Sequence, residues 1–161
     1  MDTKPSPLFL IILAGLGTAL LSPINANGTP IFVLAIPFAI LATILYTKED
    51  GIMVGVGASA AGALLLQSME FWDMISYALA AGIIVLVYDA IYPKKKEDIS
   101  AILFAVLGVL VYEFIRELST RQTILFRPEL FLGTNPALGL QILANVFATG
   151  ILLSFYHSPK K

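Results

Sequence analysis

Six apolar runs separated by short polar connections constrain this chain more than any other feature. They are Leu8–Leu21, Pro30–Tyr46, Gly51–Gln67, Met74–Tyr92, Ile99–Ile115 and Pro136–Tyr156. Several fall short of the ~20 residues a typical membrane span needs. A run of about seventeen residues still reaches about 25 Å as a helix. Local thinning of the bilayer or polar flanking residues make up the difference. The bulk chemistry agrees: 58% of the 161 residues are hydrophobic, only 13% are charged, and the mean hydropathy is +0.86. A water-soluble domain this small has too much surface to hide so many apolar side chains. The expected fold class is therefore an all-α integral membrane protein, a single domain built as a bundle of six short transmembrane helices.

The charges between the runs set an orientation. One group of connections holds Lys4, Lys48, Lys94, Lys95, Lys96, Lys160 and Lys161, seven basic residues. The alternate group holds Arg116, Arg121 and Arg127, three basic residues, and Ser22–Thr29 carries no charge. The positive-inside rule puts the lysine-bearing side, and both termini, in the cytoplasm. The first run is the shortest and resembles a signal-peptide core after Lys4. With no convincing small-x-small cleavage site behind it, it is read as a retained helix.

Tyr46-Thr-Lys-Glu-Asp50 and Tyr92-Pro-Lys-Lys-Lys-Glu-Asp98 share one plan. A tyrosine anchors a helix end, lysines follow the C-terminus, and acids precede the next N-terminus, each suiting the adjacent helix dipole. Asn135-Pro136 offers a capping side chain followed by a first-turn proline. Phe71, Trp72 and Tyr112 are expected at the outer interface. The outer segment 116–135 is too long for a simple hairpin. Its apolar stretch Ile124–Leu132, interrupted by Arg127-Pro128-Glu129, either covers the bundle's own end or lies on the membrane surface or a partner. Asn27-Gly-Thr29 matches a glycosylation sequon.

A small set of residues stands out as candidate sites. Gly51, Gly55 and Ser59, with Ala63, are spaced by four on the third helix, making a smooth stripe for close backbone approach, either inside the bundle or against a partner. Asp89 is an ionisable group in an apolar run, a functional candidate by default. Its nearness to Lys94–Lys96 also suits simple pairing at the interface. Glu113, Arg116 and Glu117 share a helix face and can pair, or Arg116 can grip an outer partner. Gln141, Asn145 and Thr149, again spaced by four, must face the interior or another protein, because lipid offers no hydrogen bonds.

The exclusions are informative. With no cysteine and one histidine, His157, the chain cannot build disulfides, thiolate sites or multi-histidine metal centres. No phosphate loop, zinc-protease motif or nucleophile elbow occurs. A net charge of −1 lacks the basic face that nucleic-acid binding needs. No enzyme, metal or cofactor is expected.

The whole pattern resembles the MreD family of bacterial rod-shape-determining membrane proteins. The likeness covers most of the chain. Its local elements are Gly51-Ile-Met-Val-Gly55-Val-Gly57, Tyr77-Ala-Leu-Ala-Ala-Gly82, Leu107-Gly-Val-Leu-Val-Tyr-Glu113 and Leu143-Ala-Asn145. Many members carry an acid near the end of helix three, where this chain reads Leu64-Leu-Leu-Gln67. The resemblance implies a non-enzymatic scaffold of the bacterial cytoplasmic (inner) membrane. Its implied partners are an MreC-like single-span protein, a RodA-like glycosyltransferase and its transpeptidase, which together direct peptidoglycan synthesis during elongation. The family's fold is also similar to the S components of energy-coupling factor transporters. A substrate-binding subunit with an outer pocket is thus the alternative.

Overall fold

The computed structural model describes residues 4–21, 23–26, 29–65, 71–92, 98–120 and 137–156. Six helices lie among them: α1 (Pro7–Leu21), α2 (Ala35–Leu45), α3 (Lys48–Leu65), α4 (Phe71–Ile91), α5 (Asp98–Thr120) and α6 (Ala137–Tyr156). A two-residue antiparallel ladder joins β1 (Asn25–Ala26) to β2 (Thr29–Pro30), pairing Asn25 with Pro30 and Ala26 with Thr29. Helices α4 and α6 are long and apolar enough to cross a membrane.

Local sequence explains where the helices begin. The Ser6 hydroxyl accepts the Phe9 N–H at 3.2 Å, and Pro7 takes the first helical position, where its missing N–H costs nothing. Thr47 caps α3 by accepting the Asp50 N–H at 3.2 Å, while its hydroxyl donates to Asp50 Oδ2 at 2.8 Å. This reciprocal arrangement satisfies a donor that the first turn leaves open. Helix α2 starts differently. Its N-terminal residue Leu34 provides no side-chain cap, and Pro37 stands in the first turn. The apolar run Pro30–Tyr46 is thus helical only over Ala35–Leu45, its leading residues being taken by the ladder and the coil behind it.

Helix α2 is the centre of the molecule. Every residue from Val33 to Thr43 is buried. It packs against the five other described helices, which follow the order α1, α3, α4, α5, α6 around it. At eleven residues it is about 16 Å long, half a typical hydrocarbon core. The helices around it present apolar side chains outwards and keep polar ones in. Leu20, Leu64, Leu143, Phe147 and Phe155 are exposed, whereas Thr43, Ser59, Ser76, Glu113, Gln141, Asn145 and Thr149 are buried.

Small residues make the close crossings. A Cβ at Gly15 would sit 2.7 Å from Ala61 Cβ, so α1 and α3 touch backbone to backbone. At Gly55 it would meet Ala81 Cβ at 2.6 Å and Ala39 Cβ at 3.2 Å. At Gly51 it would run into Thr43 Oγ1 and lie 2.9 Å from the Ala39 carbonyl. Gly51 and Gly55 thus face α2 and α4 inside the bundle, and Ser59 is buried on the same stripe.

Candidate functional site

Three helices bring the polar candidates together at the end of the bundle formed by the start of α4, the end of α5 and the start of α6. The central group is Glu113, which is 1% exposed. Gln141 donates from Nε2 to Glu113 Oε1 at 2.9 Å across the α5–α6 crossing. One turn on, Arg116 Nη1 donates to Glu113 Oε2 at 3.2 Å and approaches Oε1 at 3.5 Å. The guanidinium also reaches α4, with Nε 3.2 Å from Asp73 Oδ1. Arg116 and Asp73 side chains are each 19% exposed, so the pair is largely shielded from screening. One cation thereby links carboxylates on two helices. Arginine suits this, because its planar fork presents several donors in fixed directions.

The chain of bonds continues down α6. Asn145 Nδ2 donates to the Gln141 carbonyl at 2.8 Å and to the Ile31 carbonyl at 3.4 Å. Thr149 Oγ1 donates to the Asn145 carbonyl at 2.7 Å. The Ile31 contact ties α6 to the coil that leads into α2. Beside this network Tyr77 of α4 and Tyr112 of α5 stack face to face, their ring centroids 4.2 Å apart and their planes within 10°. Both rings are buried.

A crevice of about 10 Å³ lies close by, walled by Thr18, Leu34, Ala35, Ala58, Ser59 and Tyr77 among others. That is room for one water molecule, far from the several hundred Å³ of a small-molecule pocket.

The opposite end is held by different chemistry. Lys4 Nζ donates to the Leu45 carbonyl at 3.0 Å and stands 5.7 Å from the centre of the Tyr46 ring. The Tyr46 hydroxyl donates to the Pro5 carbonyl. Lys48 Nζ lies 3.7 Å from Asp89 Oδ2, so α3 and α4 are bridged there. Asp89 therefore meets a lysine of α3, and Lys94–Lys96 lie outside the described residues.

Of the sequence candidates, Glu113, Arg116, Gln141 and Asn145 converge on one site. Gly51, Gly55, Ser59 and Asp89 do not belong to it. Asp73 and Tyr77 belong to it without having been singled out for it. Their signal was faint: an acid in the first turn of a helix reads as ordinary capping charge. Tyr112, expected at the interface, is fully buried on Tyr77, while Phe71 and Trp72 are exposed as expected. Among the described residues no group of three or more His, Cys, Asp or Glu side chains is placed to hold a metal. The segment Ile124–Leu132, the Asn27 sequon and His157 lie outside the described residues.

Comparison with known protein families, with curated proteins and with solved structures gives no match.

Proposed function

We propose that the chain is a multi-pass protein of the bacterial cytoplasmic membrane. Its six short helices span the bilayer with both termini in the cytoplasm. It acts as a non-enzymatic scaffold of the peptidoglycan-synthesis complex that elongates the cell, as its resemblance to the MreD family implies. The observation that carries the membrane part is the inverted polarity of the surface. Phe147 and Leu143 are 68% and 67% exposed on the same helix that buries Gln141 and Asn145 completely. Water would favour the reverse, because exposed apolar faces of this extent are rare on soluble monomers. In lipid the arrangement is favourable on both counts. Helices α1 and α2, short by themselves, are accommodated by thinning and by the packing of α2 inside the ring.

The scaffold reading over the transporter reading is supported by the packing at the site. Among the described residues the polar side chains there bond to one another and to backbone carbonyls, and the crevice walled by Thr18, Ala35 and Tyr77 is too small for a vitamin-sized solute. Partner contact then falls to the outer faces and to the segment beyond α5. The implied partners are an MreC-like single-span protein and, with it, the glycosyltransferase–transpeptidase pair.

Two measurements test the proposal. Because the chain has no cysteine, single cysteines placed at Thr47 and at Trp72 report sidedness directly. Thr47 should label only from the cytoplasm and Trp72 only from outside. Affinity-tagged protein should co-isolate a single-span MreC-like protein, and depletion in a rod-shaped host should round the cells. Normal rods after depletion, with a small solute retained through purification, would favour the transporter subunit.

A further inference from the structure

We infer that the face formed by α1 and α3 docks a thinned bilayer: beside these two helices the leaflet on the Lys4 and Lys48 side is drawn in by about 12 Å, while beside α4 it keeps its full height. The inference rests on the membrane reading above. Its first observation is a register. A Cβ on Gly57 would meet Ile11 Cδ1 at 2.7 Å, one on Gly15 would meet Ala61 Cβ at 2.7 Å, and one on Gly62 would meet Thr18 Cγ2 at 3.4 Å. Residue numbers rise together along both helices, so α1 and α3 run parallel, offset by 46, 46 and 44 residues at these contacts. That register sets Leu8 level with Val54, and Leu20 level with Leu64 and Leu65. The outward apolar residues of the two helices start and stop together, running from Leu8 to Leu20 and from Met53 to Leu65. Each stretch is twelve rises, about 18 Å. At one end it stops against charge, because Lys4, Lys48 and Glu49 are exposed there. At the other end α1 gives way to Pro23 and the two-residue ladder of β1 and β2, an open backbone that lipid does not tolerate.

The second observation is that α4 does not share this height. Helices α3 and α4 run antiparallel, as Gly55 against Ala81 and Lys48 Nζ 3.7 Å from Asp89 Oδ2 require. This sets Leu65 level with Phe71, and Met53 level with Ile83. Helix α4 then carries exposed apolar side chains eight residues further, through Leu86 and Val87 to Ile91. Its outward face from Phe71 to Ile91 is about 30 Å tall, flush with α3 at one end and about 12 Å longer at the other. A bilayer of one height meets one face or the other badly. Full height all round immerses Lys4, Lys48 and Glu49 in hydrocarbon, where charge is heavily penalised. A bilayer cut to their level all round leaves Leu86, Val87 and Ile91 in water. Tilting the bundle slants both boundaries together and cannot reconcile faces of unequal height. A leaflet that changes height around the molecule satisfies both, which is the adjustment lipids make to a short hydrophobic stretch. Lys48 and Asp89 pair where the two heights meet.

Nitroxide labels on single cysteines test this, since the chain has no cysteine of its own. Leu8 and Ile83 are both exposed and lie at the same level of the bundle, so the pair separates membrane height from position in the protein. The full-length protein is reconstituted in dioleoyl phosphatidylcholine vesicles, and label depth is read from relaxation by oxygen against a water-soluble nickel chelate. The Leu8→Cys label is expected at the headgroup boundary and the Ile83→Cys label about 12 Å deeper. Equal depths, with both labels immersed, would overturn the inference and leave the membrane reading standing. Nickel access at Ile83 and at a third label, Leu16→Cys, would remove the membrane reading and the inference with it. Should Leu8→Cys fail to fold, Phe9→Cys takes its place at nearly the same height. Lipid chain length gives a second readout. Going from dimyristoleoyl to dierucoyl phosphatidylcholine should lower the thermal midpoint, because the short face must then draw in a thicker leaflet. A midpoint that holds or rises counts against the thinned face.

Discussion

Replacing Arg116 with methionine removes the cation that compensates Glu113 while keeping a long apolar stem. Glu113 is 1% exposed, and its remaining partner is the neutral Gln141 amide at 2.9 Å. Breaking a buried pair by deleting one charge typically costs 3–5 kcal/mol. The Arg116 side chain keeps 19% exposure, so the lower end applies, about 3 kcal/mol. Glu113→Gln alone keeps an acceptor for Gln141 and leaves Asp73 to pair with Arg116. Its cost should be about 1 kcal/mol, one charge-assisted bond exchanged for a neutral one. In the double variant position 113 carries no carboxylate to strand. The loss should then be about 2 kcal/mol, some ~2 kcal/mol less than the two single effects added together. Reversible unfolding in mixed micelles with rising dodecyl sulfate, followed by far-ultraviolet circular dichroism, measures all three. Strict additivity, or a double variant worse than Arg116→Met alone, would refute the view that Arg116 is there to hold Glu113.

Three further outcomes are expected. Gly55→Ala should destabilise by about 1–3 kcal/mol, because its Cβ would press on Ala81 and Ala39. Gly82→Ala meets nothing within 4 Å and should stabilise by up to about 1 kcal/mol through helix propensity; thermal unfolding in one detergent compares the pair. Asn145→Leu should cost about 0.6–2 kcal/mol and speed amide exchange at Ile36 and Phe38, since it releases the Ile31 carbonyl ahead of α2. Lys4→Gln should raise amide exchange at Phe9 and Leu10, whose N–H groups close the first turn of α1 on Ser6, by freeing that end from Leu45.

Helix existence was legible because apolar runs of this length have few other uses. The start of the second helix was not, since ladder, coil and helix are equally apolar across Pro30–Leu34. Only the cap-free Leu34 and first-turn Pro37 mark the boundary, and periodicity cannot see either. The inward stripe Gln141/Asn145/Thr149 was legible from spacing of four combined with the cost of bare polar groups in lipid. Its partners were not. Ile31 lies 114 residues from Asn145, and a carbonyl carries no residue signature. Asp73 shows the same limit: in sequence it is an ordinary first-turn acid, and only the α4–α5 crossing brings it to Arg116. Tyr112 was misplaced because tyrosine is equally at home in an aromatic belt and in a stack, and the choice depends on what faces it.

The central position of α2 has a consequence for biogenesis. Among the described helices this one is second in chain order, yet its native surroundings include α6, the last of them. Until Asn145 arrives, the coil before α2 has an unanswered carbonyl, and one flank of the shortest helix has no protein beside it. The earlier helices can pack hairpin by hairpin, but final seating of α2 must wait for α6, a connection of high contact order. The last of the described helices therefore acts as the latch on the second.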